Sequence, residues 1–165
     1  MINNEIVKLL NNQLNLEFYS ANLYLQMSAW CNYKTYEGFS VLLKKHSDEE
    51  IEHMKKLFDY ICKSGNLAII NEIKAPPNNF KSIIDLFTQT YEHEKFITKN
   101  INNIIHSSIT IQDYTTFSFL QWYIVEQHEE ENLFKTILDK INLIDKYSNG
   151  LLILDNNIKK DYLKQ

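Results

Sequence analysis

The sequence predicts an all-α fold: a bundle of four long helices with one long crossover and a short fifth helix. Apolar residues recur at helical spacing along nearly the whole chain, which is the main sequence signal of amphipathic helices. The 165 residues include only three Gly and two Pro, whereas a β-rich fold uses these residues at its many turns. Both prolines fall in the stretch 65–81, which has no helical pattern and is therefore the expected crossover.

Local signals and link lengths set the expected order of the helices. The second helix ends at Ser64, Gly65 and Asn66, a typical C-terminal stop, and Ser148 is expected to cap the fifth. Short links make two antiparallel hairpins, and the crossover lets the third helix begin at the opposite end of the bundle. The expected helix ranges are about 4–32, 37–63, 82–108, 114–146 and 148–158.

A single domain is expected over 1–165. The stretch 65–81 is also long enough to link two small domains. A lone two-helix hairpin, however, buries too little apolar surface to fold by itself. The chain length suits one domain with one sizeable core.

Composition argues against several classes of protein. Acidic residues outnumber basic ones by 21 to 17, and the net charge of −4 disfavours nucleic acid as a partner. All basic residues are Lys, and the isolated Gly38, Gly65 and Gly150 form no phosphate-binding loop. No apolar run reaches the roughly 20 residues that span a membrane, and no secretory signal is visible. A cytoplasmic protein is expected, with no membrane partner and with Cys31 and Cys62 buried and reduced.

Polar side chains occur where core residues are expected. Glu17 lies in line with Leu10 and Tyr24 on the apolar stripe of the first helix. An unpaired buried carboxylate is costly, so a carboxylate on the inner stripe of every long helix indicates a shared cation. The corresponding residues of the other helices are Glu50, Glu94, Gln127 and Glu130.

These residues are expected at one height of the bundle. Glu17 and His53 each lie 18 residues from a first turn near position 35. Glu94 and Glu130 each lie 18 residues from a second turn near position 112. A shift of 77 residues relates the hairpins, because it maps Glu17 onto Glu94 and His53 onto Glu130. The ligands are therefore expected to surround one point.

The spacing Glu50-x-x-His53 places an oxygen and a nitrogen ligand on one helical turn. Carboxylate and imidazole suit iron and manganese, and a shared carboxylate can hold two metals about 3.5–4 Å apart. The motif alone would be weak evidence. Together with four inward carboxylates at one height it indicates a dinuclear carboxylate site.

Three segments resemble the bacterial non-haem ferritins: LNLEFYSANLYLQMSAWC, HSDEEIEHMKKLFDY and FLQWYIVEQHEEENLFK. The resemblance covers essentially the whole chain. It implies a ferritin-like four-helix bundle that assembles as a homo-oligomer, a hollow shell of 24 subunits. The shell would oxidise Fe(II) with dioxygen or hydrogen peroxide and store the product as a ferric mineral.

The resemblance also implies which residues hold iron. One iron is held by the residues that match Glu17, Glu50 and His53. The second is held by those that match Glu50, Glu94 and Glu130. Two irons per subunit are therefore expected, or three with a further nearby site.

Other roles are implied around this pair of irons. Gln127 matches a residue beside the oxygen-binding position and is counted both as a metal-site and as a catalytic residue. Tyr24 matches a catalytic tyrosine beside the first iron, and Trp122 a nearby aromatic that supplies electrons. The third iron site matches Glu49, Glu126 and Glu129, together with Glu130.

Related families would differ at identifiable positions. A bacterioferritin would repeat E-x-x-H on the fourth helix, where this chain has Gln127 and Glu130. Its haem-ligating methionine would stand at Ile51, so no haem is expected. A rubrerythrin-like protein would carry a Cys-x-x-Cys module, which is missing.

Plainer interpretations remain open for several residues. Tyr24 and Trp122 also fit core packing, and the third-site glutamates also fit a solvated acidic face. The stripe Leu151, Leu152, Leu154 and Ile158 fits either a helix packed on its own bundle or a subunit contact, which the resemblance favours. The other histidines are expected at the surface or satisfied within the core: His46, His93, His106 and His128.

Three functions fit the predicted site. The first is an iron-oxidising storage shell, and the second is a discrete di-iron or di-manganese oxidase acting on another substrate. The third is a structural bundle whose acidic core binds stray cations. The fifth helix favours the shell, because a solitary bundle has no need of it.

Overall fold

The computed structural model describes residues 2–144 and 149–163. Over these residues the chain is all-helical, and four long helices form a bundle, as the sequence predicts. A short helix precedes the fourth long one, and a final helix packs across one end. The helices are α1 (Asn4–Tyr33), α2 (Glu37–Lys63), α3 (Ile83–Thr110), α4 (Tyr114–Phe119), α5 (Gln121–Leu143) and α6 (Gly150–Leu163).

The main difference from the sequence prediction lies in the expected helix 114–146. This helix is divided into α4 and α5 at Leu120, whose backbone has φ −80° and ψ −2°. The Tyr123 N–H there donates to the Leu120 carbonyl, so the helical ladder tightens to a three-residue spacing. The expected end of that helix at Lys146 and the expected cap Ser148 lie outside the described residues.

Both hairpin turns reverse the chain in the same way. Thr35 and Gln112, which are 77 residues apart, have φ values of 65° and 60°. The residue after each donates back to the preceding helix: Tyr36 N–H to the Cys31 carbonyl and Asp113 N–H to the Ser108 carbonyl. This is the Schellman pattern, which usually places glycine at the left-handed position. The 77-residue relation found in the sequence is therefore also a relation between turns.

Two asparagines on α1 hold the crossover. Asn11 accepts from the Ile69 N–H at 2.7 Å and donates to the Leu67 carbonyl. One turn later, Asn15 accepts from the Asn71 N–H at 2.8 Å and donates to the Ile69 carbonyl. The two amides therefore bond alternate residues of an extended segment, as a neighbouring strand would. This pairing satisfies backbone groups that have no helical partner.

The last helix, α6, caps the start of α2. The Tyr36 side chain forms no cap bond at that end, and the buried Asp155 of α6 accepts from the Phe39 N–H at 2.8 Å instead. Gly38 permits the approach, because a Cβ there would lie 1.9 Å from the Asp155 carbonyl oxygen. Lys159 also pairs with Glu37. Helix α6 is thus packed on its own bundle, one of the two arrangements left open by the sequence.

The apolar core consists of two clusters separated along the bundle axis. One contains Leu10 and Leu14 of α1, and the other contains Met27 and Trp30 of the same helix. Glu17 and Ser20 lie between them in sequence and are fully buried. A polar layer therefore crosses the bundle between two hydrophobic blocks.

The two cysteines occupy different environments. Cys31 is buried, as expected, and its burial raises the pKa of the thiol to about 12, with a further contribution from the charge of Asp155. Cys62 is exposed, so the prediction that both thiols are buried is wrong for this residue. It lies beside the buried Ile61 near the end of α2 and points away from the core. Within the described part of the chain, no helix has the length and apolar character needed to cross a membrane.

Asp155→Ala is expected to weaken the start of α2, because the Phe39 N–H loses its acceptor; loss of such a cap costs about 1 kcal/mol. The measurement is hydrogen exchange of the peptide that contains Phe39, together with thermal unfolding. Asp161→Ala, at an exposed position of the same helix, is the matched control. Equal exchange rates in the two variants would show that the cap does not stabilise α2.

Candidate metal centre

The polar layer brings the predicted ligands together from all four long helices. Glu17 comes from α1, Glu50 and His53 from α2, and Glu94 from α3. Glu130 comes from α5. Their exposed fractions are all 4% or less. Burial of so many carboxylates in one layer is the feature that the sequence pattern indicated.

Glu17, Glu50 and His53 form a first cluster, in which one ligand atom of each residue lies within 4.8 Å of the others. The Nδ1 atom of His53 is 3.1 Å from Glu50 Oε2 and 3.9 Å from Glu17 Oε2. Gln13, one turn before Glu17, donates its amide N–H to Glu17 Oε1. Glu17 Oε2 is buried and has no hydrogen-bond partner. The cluster thus presents a free carboxylate oxygen beside an imidazole nitrogen.

Glu94 is held from two sides. The hydroxyl of Tyr24 donates to Glu94 Oε1, and the amide of Gln127 donates to Glu94 Oε2 at 3.0 Å. The same amide lies 3.3 Å from Thr98 Oγ1. In this structure, Tyr24 and Gln127 therefore contact a carboxylate of the layer and fix its orientation.

The electrostatics of the layer favour a cation. Burial raises the pKa of Glu50 well above its usual value, and the charges of Glu17 and Glu94 raise it further. Burial, followed by the charge of Glu130, raises the pKa of Glu94 to about 8. Burial and Glu94 also raise the pKa of Tyr24 well above its usual value. Each shift reflects negative charge that water cannot solvate, and a bound divalent cation would neutralise it.

A second cluster lies beside the first. It consists of His46, Glu49 and Glu130, again with one ligand atom of each within 4.8 Å of the others. These residues line a cavity of about 230 Å³ whose other lining residues are Glu126, Glu129 and Leu133. The structure thus brings together the four predicted third-site glutamates.

Two of these glutamates relate the clusters to each other. Glu130 is 3.1 Å from His46 through its Oε2 atom, and its charge also acts on Glu50 and Glu94. Glu126 is partly exposed, yet its Oε1 lies 3.7 Å from His53 Nε2. Glu129 is exposed at the mouth of the cavity.

His46 is the residue that sequence reasoning missed. It was expected to be a surface or satisfied histidine, but it is buried, and neither ring nitrogen has a hydrogen-bond partner. Its spacing contained the signal, because His46, Glu50 and His53 follow each other at intervals of four and three residues on one face of α2.

The other three histidines fit their expectation. His93 is largely buried, and its Nε2 lies 2.7 Å from the Ser20 hydroxyl. Burial lowers the pKa of His93 to about 4. His106 and His128 are exposed.

Aromatic residues flank His53. The rings of Trp122 and Tyr123 have their centroids 5.5 and 5.6 Å from the centroid of its imidazole. Trp122 is half-buried, and the Nζ atom of Lys56 lies 4.1 Å from its ring centroid. Trp122 is therefore close enough to the first cluster to exchange electrons with it, and it also packs against the core cluster of α4 and α5.

Comparison with known proteins agrees with this geometry. A family model described as a ferritin-like domain matches residues 7–144. The bacterial non-heme ferritin of Escherichia coli O6:H1 is 49% identical over 158 residues, which are 96% of each chain. That of Campylobacter jejuni is 50% identical over 159 residues, or 96% of this chain and 95% of the relative.

Solved structures show the same fold. The open pore ferritin of Archaeoglobus fulgidus superposes with a TM-score of 0.94 at 34% identity, covering 96% of this chain and 98% of that one. Chlorobium tepidum ferritin superposes with a TM-score of 0.87 at 42% identity, covering 97% and 98%. With the family model matching most of its length, the chain belongs to the ferritin family.

Proposed function

We propose that this protein stores and detoxifies iron as a cytoplasmic ferroxidase, oxidising Fe(II) within each subunit and holding the product as a ferric mineral inside a homo-oligomeric shell. The observation that carries the proposal is the polar layer, where buried carboxylates from all four long helices converge with an imidazole. Relatives of almost the same length are named bacterial non-heme ferritin. Iron is thus the substrate and the cargo of the site.

The residues divide the work at the proposed centre. Glu17, Glu50 and His53 bind one Fe(II), and Glu50, Glu94 and Glu130 bind the second. Glu50 lies next to His53 and carries a raised pKa through the charges of Glu17 and Glu94, so it suits a carboxylate shared by both metals. Gln127 and Tyr24 hold Glu94 in place.

The electron balance explains why two irons are needed. Two Fe(II) ions each give one electron, and dioxygen takes both electrons with two protons to form hydrogen peroxide. Tyr24 contacts Glu94 directly and Trp122 packs on His53, so either ring can give a further electron to a site of this kind. An iron at the proposed third site, which uses Glu49, Glu126, Glu129 and Glu130, would supply one more.

A shell of 24 subunits is the assembly we propose. The apolar side chains of Leu152 and Ile153 on α6 are more than half exposed in the single chain, with fractions of 56% and 58%. Such residues suit a contact between subunits. The runner-up function, an oxidase acting on another substrate, would need a pocket that reaches the metals. The cavity next to the metals is lined mainly by acidic residues, which favours a cation over an organic substrate.

Glu50→Ala is expected to slow Fe(II) oxidation by about 100-fold or more, because it removes a ligand of both irons; loss of a merely supporting residue costs about 10–100-fold. His53→Ala is expected to have a smaller effect, because it removes a ligand of one iron. Absorbance after mixing with two Fe(II) per subunit measures the rate. Glu52→Ala, at an exposed position of the same helix, should match the parent. A parent-like rate in Glu50→Ala would reject the proposed centre.

The metal-free protein is expected to lose stability as the pH rises from about 5.5 to about 8.5. In the folded state Glu94 keeps its proton up to a pKa of about 8, whereas in the unfolded chain it loses the proton near its ordinary value. Ionisation therefore opposes folding across this range. Thermal unfolding should show a melting temperature lower by about 5 °C or more at the upper pH.

Glu94→Gln should reduce this pH dependence, because the amide does not ionise. Saturating Zn(II) should also remove it, because a bound cation favours the ionised carboxylates. Glu52→Gln should retain the parent's slope. A melting temperature that stays level in the metal-free parent would mean that the buried carboxylates are already compensated.

The triple variant Glu49→Ala, Glu126→Ala and Glu129→Ala is expected to keep the fast first oxidation, since both proposed iron positions retain their ligands. The number of irons oxidised per dioxygen should change, and transfer of ferric ions to the mineral should slow. Stopped-flow absorbance with an oxygen electrode measures both. Glu131→Ala, which lies outside the cavity lining, is the control. Identical stoichiometry and turnover in the triple variant would leave these glutamates as a solvated acidic face.

A further inference from the structure

We propose that His46 is a metal ligand, and that it makes the second cluster a mixed nitrogen and oxygen site selective for transition metal ions such as Fe(II) and Zn(II). The proposal deepens the proposed function and rests on it for the physiological metal. Neither the sequence pattern nor the resemblance assigned His46 a role. Its place in the second cluster comes only from the tertiary structure.

The first argument is geometric. His46 Nδ1 lies 3.1 Å from Glu49 Oε2 and also 3.1 Å from Glu130 Oε2. One ring nitrogen carries at most one proton and can donate it to only one acceptor. Neither contact forms a hydrogen bond, and Nδ1 and Glu130 Oε2 are both left without a partner. Three ligand atoms that converge without bonding to each other are arranged as they would be around a cation.

The second argument is burial. His46 is only 5% exposed, and a buried polar atom without a partner costs free energy. The ring packs against Phe134, with centroids 5.0 Å apart, which fixes its direction. A purely structural imidazole would find a partner through one of its two nitrogens. A ring held by an apolar neighbour and aimed at two carboxylates fits a ligand role better.

The third argument concerns selectivity. Four carboxylates alone form an all-oxygen site, which suits Ca²⁺ and Mg²⁺ as well as Fe(II). An imidazole donor favours transition metals, because it is a softer ligand than oxygen. Glu130 also belongs to the proposed two-iron centre, so the ion beside His46 would share a carboxylate with it. His46 thus restricts the third position to the metals that the centre uses.

The test uses one Cu(II) per subunit in a His53→Ala background, which removes the imidazole of the first cluster. Pulsed electron paramagnetic resonance should still detect coupling to an imidazole nitrogen. That coupling should vanish in His53→Ala/His46→Gln and persist in His53→Ala/His128→Ala, whose exposed histidine is the matched control. No coupling in the background variant, or coupling that survives His46→Gln, overturns the proposal.

An affinity measurement tests selectivity. In the same background, His46→Gln should weaken Zn(II) binding by about 10–100-fold, while Ca(II) binding, which uses oxygen ligands, should change by less than about threefold. Equal losses for the two metals would overturn the selectivity argument. These results do not depend on oxidation activity, so they remain separate from a failure of the proposed ferroxidase reaction.

A crystal structure of the parent soaked with Zn(II) needs no variant and covers the case in which His46→Gln does not fold. The proposal expects an anomalous peak about 2.0–2.1 Å from His46 Nδ1, the usual Zn–N distance. A peak bound by Glu49 and Glu130 with His46 out of coordination range would overturn it. An empty second cluster with Zn(II) in the first would overturn it as well.

Discussion

The repulsion among buried carboxylates is the constraint on which the rest of this structure depends. Glu17, Glu50, Glu94 and Glu130 are almost inaccessible to solvent, and no Lys forms an ion pair with any of them among the described residues. Burial and mutual charge keep protons on this layer, as the raised pKa values of Glu50 and Glu94 indicate. Such a layer persists because the two apolar clusters on either side hold the helices together. The fold thus stabilises a site that is unfavourable without a cation.

The hairpin turns set the height of the ligands. Thr35 and Gln112 reverse the chain in equivalent Schellman motifs. A left-handed conformation is strained for a β-branched residue such as Thr35, yet the capping bonds hold it. Because both turns have the same geometry, ligands at equal distances from them meet at one level. The crossover, bonded along α1 by Asn11 and Asn15, then places the second hairpin in register with the first.

The two hairpins are related in geometry but not in chemistry. The 77-residue shift maps His53 onto Glu130 and Glu50 onto Gln127. The first hairpin therefore offers nitrogen and oxygen donors in one cluster, whereas the second offers Glu130, which lies between the two clusters. This asymmetry gives the proposed iron positions different ligand sets. It also connects them to the acidic cavity through one shared carboxylate.

Sequence reasoning performed best where a residue contradicts its own periodicity. A glutamate in a leucine stripe is conspicuous, so Glu17 and Glu94 were found without coordinates. Histidine is less conspicuous, because it is common on both faces of helices; His46 was therefore placed among the satisfied residues. Cys62 was misplaced because the usual burial of cysteine outweighed its position near the outer face of α2. The break at Leu120 has no proline or glycine to announce it.

The sequence by itself determined the helices, their hairpin pairing and the height at which the carboxylates meet, because these depend on periodicity and chain length alone. Only the tertiary structure decided what each side chain contacts. The capping of α2 by Asp155, the support of Glu94 by Tyr24 and the direction of His46 all join residues distant in sequence. Such contacts depend on side-chain rotamers and on the approach of neighbouring helices, and a linear pattern of residues contains neither.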